Sequence, residues 1–203
     1  MTPTTAAIEK RRVILRAAVR VFARRGFHAC RVADIADEAG VAYGLVYHYF
    51  RSKEQILSVL FTERWGLMLD AIAAAEREQQ TARARLEQVA RFITDSYRRD
   101  PEMMKVIIVE VTRAANSFGQ IHLDEIGEAY RLIAEIVREG QERGELRDDV
   151  DPMVISVWFY GAIEQLLSGW IFGLLATGDD ELRQAERTVV DTLFGGLAAS
   201  PGA

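Results

Sequence analysis

Gly26 and Gly40 interrupt a run of helical periodicity, and the pieces they leave are one longer helix and two short ones. Before Gly26, Ile14, Ala17, Ala18, Val21 and Phe22 recur at i, i+3, i+4, i+7 and i+8. That spacing predicts a first helix from about residue 8 to Arg25. Between the glycines, Val32, Ile35, Ala36 and Ala39 repeat at i, i+3, i+4 and i+7, a second helix whose C-terminal turn Gly40 supplies. Residues 43–50 form the third. Two short helices joined by a tight, glycine-containing turn, behind a longer supporting helix, make a helix-turn-helix pattern.

The rest of the chain reads as longer helices. A fourth is predicted from about Lys53 to Glu78, a fifth with Leu86, Val89, Ala90, Phe92 and Ile93 on one face, and a sixth opened by Pro101 and reading "EMMKVIIVEVTRA". After the loop "ANSFGQ", a seventh runs from about His122 to Glu139. Asp151 as N-cap and Pro152 at the first helical position start an eighth, apolar to Ala176. "TGDD" caps a ninth, with a stripe of Leu182, Ala185, Val189 and Leu193. The expectation is an all-α protein of about nine helices, divided into 1–52 and a larger 53–203.

Composition narrows the class. The start "MTPTTAAIEKRR" lacks the apolar core of a signal peptide, so a cytoplasmic protein is expected. The segment Met153–Ala176 has the length of a membrane span. Glu164 and Gln165 at its centre favour a buried or interface helix, and no membrane partner is expected. Cys30, the single cysteine, excludes an internal disulfide and a cysteine-based metal cluster. Three histidines are scattered, no phosphate-cradling glycine loop or metal-ligand spacing appears, and no catalytic residue, metal or cofactor is expected.

Charge is divided unevenly. Residues 1–53 hold ten Lys/Arg against four acids, a net of +6. With −5 overall, the remainder carries −11. A basic head on an acidic body is the asymmetry expected when only the head meets a polyanion. The third helix fits that reading. At 100° per residue, Val46 and Phe50 face the interior while Gly44, Leu45 and His48 lie opposite, with Tyr47 and Tyr49 on the flanks. A helix in the major groove needs a central face for base edges and flanking hydroxyls for phosphates. Lys53, at the start of the fourth helix, offers a further phosphate a cation beside free backbone N–H groups.

The stretch "FARRGFHACRVADIADEAGVAYGLVYHYFRSKEQIL" closely resembles the DNA-binding region of the TetR family of transcriptional regulators, over about residues 10–60. The resemblance places DNA contacts at Tyr43, Gly44, Leu45, Tyr47, His48, Tyr49 and Lys53, with Arg31 at the start of the second helix. Three departures stand out. Cys30 and Arg31 replace the usual Thr or Ser, Ala42 replaces a frequent helix-capping Ser or Thr, and Leu45 replaces a frequent Thr.

The body carries two further expectations. Phe159, Ile163, Leu166, Leu167, Trp170 and Leu174 form a broad stripe on the eighth helix. With Leu182, Val189 and Leu193 of the ninth it is expected to build the four-helix interface of a homodimer, as the family resemblance also implies. Two heads would then read a palindromic double-stranded operator. The middle helices enclose an effector pocket in the family. Trp65, Leu69, Phe92, Met103 and Met104 offer lining, as do Ile107, Ile108, Val111, Phe118, Tyr130 and Ile133. The adaptable methionines suit a small hydrophobic effector.

A looser resemblance lies in "IVREGQERGELRDDVDPMVISVWFYGAIEQLLSGWIFG", similar to the C-terminal region of TetR-family regulators of fatty-acid degradation that respond to long-chain acyl-CoA. Arg98, Arg99, Lys105, Arg113 and Arg131 are the candidates for its phosphates. The expected function is therefore a ligand-responsive repressor. The alternatives are a TetR-type repressor of an efflux or other catabolic operon answering a different apolar ligand, and a helical protein-interaction module.

Overall fold

The computed structural model describes residues 5–77, 80–112 and 122–197. Every regular element among them is helical: α1 (Thr5–Arg25), α2 (Val32–Ala39), α3 (Tyr43–Tyr49), α4 (Lys53–Arg77), α5 (Ala82–Arg99), α6 (Pro101–Val106), α7 (Leu123–Glu142), α8 (Pro152–Ile171) and α9 (Asp179–Leu197). The chain forms two compact units, residues 1–64 with 102–115 and residues 65–101 with 116–203.

In the first unit the predicted stripe of α1 is the core. Ile14, Ala17, Ala18, Val21 and Phe22 are buried, joined by Ile35 of α2, Val46 of α3 and Phe50. Each fully buried Ile, Val or Phe stabilises the fold by about 1.5–3 kcal/mol relative to exposure. α1 ends at Gly26, whose φ of +79° only glycine adopts without strain. α2 begins at Arg31, which has no side-chain acceptor. Asp34 compensates, its Oδ2 accepting the Arg31 backbone N–H at 2.8 Å. At α3, Ala42 leaves the N-cap without a side-chain bond, as the missing hydroxyl predicts. Arg20 and Arg24 both reach Glu38 at 2.7 Å and Arg25 pairs with Asp34, fastening α1 to α2.

The second unit packs α8 against α7 and α5 against α7, α8 and α9. Thr81 caps α5, and Asp151 accepts the N–H groups of Met153 and Val154 at 2.7 and 3.3 Å, with Pro152 opening α8 as predicted.

Two helix ends differ from expectation. α8 stops at Ile171, five residues before Ala176. Gly173 turns left-handed at φ +70°, and the N–H groups of Leu174 and Leu175 return to the Gly169 carbonyl at 2.7 and 3.2 Å. Leu175 then packs so closely on Gly169 that a Cβ there would meet it at 2.6 Å. The sixth helix is α-helical only to Val106, and Ile107–Thr112 continues as a π-helix. One more residue per hydrogen-bonded turn changes which side chains face inward, and π-turns of this kind are rare and often functional. By length and composition α8 could cross a membrane, yet half of its apolar window is buried inside the protomer.

Candidate nucleic-acid interface and effector region

α3 presents the face its sequence implies. Val46 and Phe50 are buried, whereas Tyr43 and Tyr47 are 53% and 44% exposed. Gly44 and His48 are exposed, Leu45 and Tyr49 half-buried, and Arg31 exposed at the start of α2. The two tyrosines are not independent. Their rings meet edge to face at 5.1 Å and the Tyr43 hydroxyl donates to the Tyr47 hydroxyl at 3.2 Å. The hydrogen bond shared with Tyr43, and then desolvation, hold the Tyr47 hydroxyl above its ordinary pKa. A row of hydroxyls and one imidazole over a close backbone can donate to phosphates and base edges in one groove.

Lys53 departs from the expectation of a free cation. Its ammonium donates to the carbonyls of Phe27, Cys30 and His28 at 2.8, 3.1 and 3.2 Å and lies 4.6 Å from the Phe27 ring centroid. Three donors are thereby used inside the turn between α1 and α2. From the opposite direction, Glu110 of the π-helix accepts the Phe27 backbone N–H at 3.1 Å. Burial pushes the Cys30 thiol up despite the nearby Lys53 charge, and its Sγ donates to the Phe27 carbonyl. Nothing in the sequence marked Glu110, because its partner is 83 residues away.

The expected effector residues divide between the units. In the first, Met104, Ile107 and Ile108 are buried and Met103 half-buried, while Lys105 is exposed. In the second, Trp65 and Ile133 are buried, and Leu69, Phe92 and Tyr130 half-buried. Trp65 and Tyr130 both pack edge to face on the buried Tyr160, with ring centroids 6.1 and 5.6 Å apart. The Trp65 indole N–H donates to the Glu125 carbonyl at 2.8 Å. Burial, and then the Glu164 charge, push the Tyr160 hydroxyl far above its ordinary pKa. Among the cations, Arg98 reaches Asp95 and Asp179, Arg99 reaches Asp95, and Arg131 pairs with Glu128. Arg113 and Phe118, and the side chain of Val111, lie outside the described residues.

At the expected subunit interface, much of the predicted stripe faces inward. Phe159, Ile163, Leu167, Trp170 and Leu182 are buried within the protomer itself and have no surface left for a partner. Leu174 lies beyond the end of α8 and is 78% exposed. Leu166, Val189 and Leu193 stay half-buried at the surface. The exposed apolar residues of α8 are instead Met153, Val154, Val157 and Trp158, the last 69% exposed. Trp158, Ala162, Val189, Leu193 and Leu197 line an apolar groove of about 610 Å³ between α8 and α9. The reason is one of phase: both stripes are apolar on more than one face, so periodicity alone could not tell inner from outer.

Residues 14–60 match the family of bacterial regulatory proteins of the tetR type, and residues 61–190 match the C-terminal region of YsiA-like proteins. The fatty acid metabolism regulator protein of Bacillus subtilis (strain 168) is 31% identical over 159 residues, 78% of this chain and 81% of that protein. The fold is similar to the regulator FadR from Bacillus subtilis in complex with stearoyl-CoA, with TM-score 0.81, 26% identity, and 91% and 98% of the two chains covered. It is equally similar to the fatty acid degradation regulator FadR from Bacillus halodurans, with TM-score 0.80, 26% identity, and 92% and 98% covered.

Proposed function

The chain belongs to the tetR family of bacterial regulatory proteins, and on that premise we propose that it is a homodimeric repressor of fatty-acid degradation genes, released from a palindromic operator by long-chain acyl-CoA. It is a DNA-binding regulator and not an enzyme. The observation that carries the reading is α3: a polar aromatic face over a buried Val46, in a segment of net +6. The effector class rests on the stearoyl-CoA that the Bacillus subtilis relative holds, and on the buried apolar Trp65 and Ile133 of the second unit here.

In this mechanism α3 enters the major groove. Tyr43, Tyr47 and Tyr49 donate to phosphates, while Gly44, Leu45 and His48 approach base edges, and Arg31 holds a phosphate beside α2. We take residues 1–52 as the head and 53–203 as the body. α4 runs from Lys53, which grips the α1–α2 turn, past Trp65, so one continuous helix carries residues of both functions. An effector favouring one setting of that helix shifts the operator affinity by its differential affinity for the two settings. Two copies joined through the exposed face of α8 and α9 supply the twofold symmetry a palindrome demands. We place the protein in the cytoplasm, with its DNA.

The test is fluorescence anisotropy on the gene's own upstream DNA, with and without stearoyl-CoA, across a salt titration. Tight binding that weakens steeply with log[salt] and is reversed by micromolar stearoyl-CoA is expected. Tyr47→Ala, at an exposed site, abolishes binding and leaves the melting temperature unchanged. Normal operator binding by Tyr47→Ala would refute the recognition-helix assignment, and salt-independent binding would point to protein docking instead.

A further inference from the structure

A polar cleft of about 290 Å³ opens between α5 and α9, lined by Arg91, Asp95 and Arg98 from one helix and Arg183, Glu186 and Arg187 from the other. Four guanidiniums face two carboxylates in its lining, with Asp179 and Asp180 paired to Arg98 and Arg183 at its edge. Its acids are already engaged. Glu186, its side chain only 11% exposed, accepts from the buried Thr94 hydroxyl at 2.7 Å, and Asp95 binds Arg98 at 2.9 Å and Arg99 at 3.7 Å. Arg98 and Arg183 are engaged as well, while Arg91 and Arg187 are far less committed. Arg91 meets Glu186 only at 3.6 Å, Arg98 meets Asp179 at 3.7 Å, and Arg183 is paired outside the cleft with Asp180 at 2.7 Å. Arg187 has no ion pair or hydrogen bond among the described residues.

This arrangement is costly in isolation. Arg183 and Arg187 stand at i and i+4 on one helix face, where like charges repel, and Arg91 and Arg98 come from the facing helix. Ion pairing alone would be served by fewer arginines. Planar guanidinium forks with free N–H groups around a cleft of this size fit a phosphate or diphosphate, which they bind in bidentate fashion.

We propose that the α5–α9 cleft is a phosphate-binding site, which holds the nucleotide end of the acyl-CoA effector. The assignment rests on the acyl-CoA reading for the source of the phosphates, though not for the site itself. A free nucleotide or polyphosphate carries the same chemistry, and the experiment separates the two sources.

The test measures binding of stearoyl-CoA, stearate and inorganic pyrophosphate to the full chain by calorimetry, for the wild type and for the double variant Arg91→Gln with Arg187→Gln. Both side chains are exposed, so the fold is retained. With about tenfold for each lost charge-assisted contact, stearoyl-CoA should bind the double variant some hundredfold more weakly. Stearate should bind both alike. Pyrophosphate should bind the wild type in a salt-sensitive manner and the variant not at all, and Lys at both positions should restore only part of the affinity. Equal stearoyl-CoA affinity in wild type and variant overturns the assignment of the nucleotide end to this cleft. Pyrophosphate bound by the wild type and lost in the variant, with no stearoyl-CoA binding to either, keeps the anion site and removes the acyl-CoA reading. Failure of the wild type to bind pyrophosphate and stearoyl-CoA alike overturns both.

Discussion

Glu110 accepts the backbone N–H of Phe27 at 3.1 Å, across 83 residues of sequence. Phe27 begins the turn that follows Gly26 and leads from α1 to α2. The acceptor stands on a π-helix, two residues after the buried Ile108.

Glu110→Ala should weaken operator binding roughly tenfold, as expected for a charged hydrogen bond. Glu110→Gln retains an acceptor oxygen and should stay close to wild type. Anisotropy titration of both variants, with circular dichroism as a control for folding, reads this directly. Wild-type affinity in the alanine variant would show that the contact does not position the head.

Lys53 makes a different prediction from the one its place in the sequence suggests. With its ammonium on three carbonyls, its main contribution is to the turn, not to a phosphate. Lys53→Met should lower the melting temperature by several degrees while leaving the slope of log affinity against log[salt] unchanged. Loss of one phosphate contact would instead reduce that slope by about one. A shallower slope at unchanged melting temperature would return Lys53 to the DNA.

The helix-turn-helix was legible because its signals are local. Gly26 and Gly40 adopt the left-handed φ their spacing implied, and Val46 and Phe50 lie on the buried side that a helical wheel assigns them. Asp151 and Pro152 likewise declare the start of α8 within two residues. What stayed hidden depends on distant partners. Glu110 is ordinary until Phe27 is placed beside it, and Arg183 and Arg187 are ordinary until α5 brings Arg91 and Arg98. On α9 the expected stripe of Ala185, Val189 and Leu193 is the outer face, while Val190, Phe194 and Leu197 are buried. A helix that is apolar on two sides carries no mark of which side is inner.

That distinction gives a test of the homodimer. Trp158 is 69% exposed beside a groove of about 610 Å³ that includes Val189, Leu193 and Leu197. A large aromatic at the centre of an interface commonly contributes about 2 kcal/mol or more. Trp158→Glu should therefore turn a dimer into a monomer in sedimentation velocity at micromolar protein, and palindrome binding should fall with it. Phe159→Val, one residue along but fully buried, should lower the melting temperature and leave the dimer intact. A dimeric Trp158→Glu would move the interface elsewhere.

Acid should loosen the head through the carboxylates that join α1 to α2. Glu38 is held below its ordinary value of 4.5 by the hydrogen bonds of Arg24 and then Arg20. Asp34 is held below 3.8 chiefly by the Arg31 backbone N–H, with Arg25 adding to it. Folding thus lowers both pKa values, and in the window below 4.5 the unfolded chain binds more protons than the folded one. Their contribution is present above that window and is lost as pH falls through it. Exposure to solvent keeps the effect small and salt-sensitive. Glu38→Gln should melt below wild type at neutral pH, and the two curves should converge as pH falls below 4.5. Added salt should narrow the gap at neutral pH. A gap that stays constant from neutral to acid pH would mean that Glu38 contributes through its shape and not its charge.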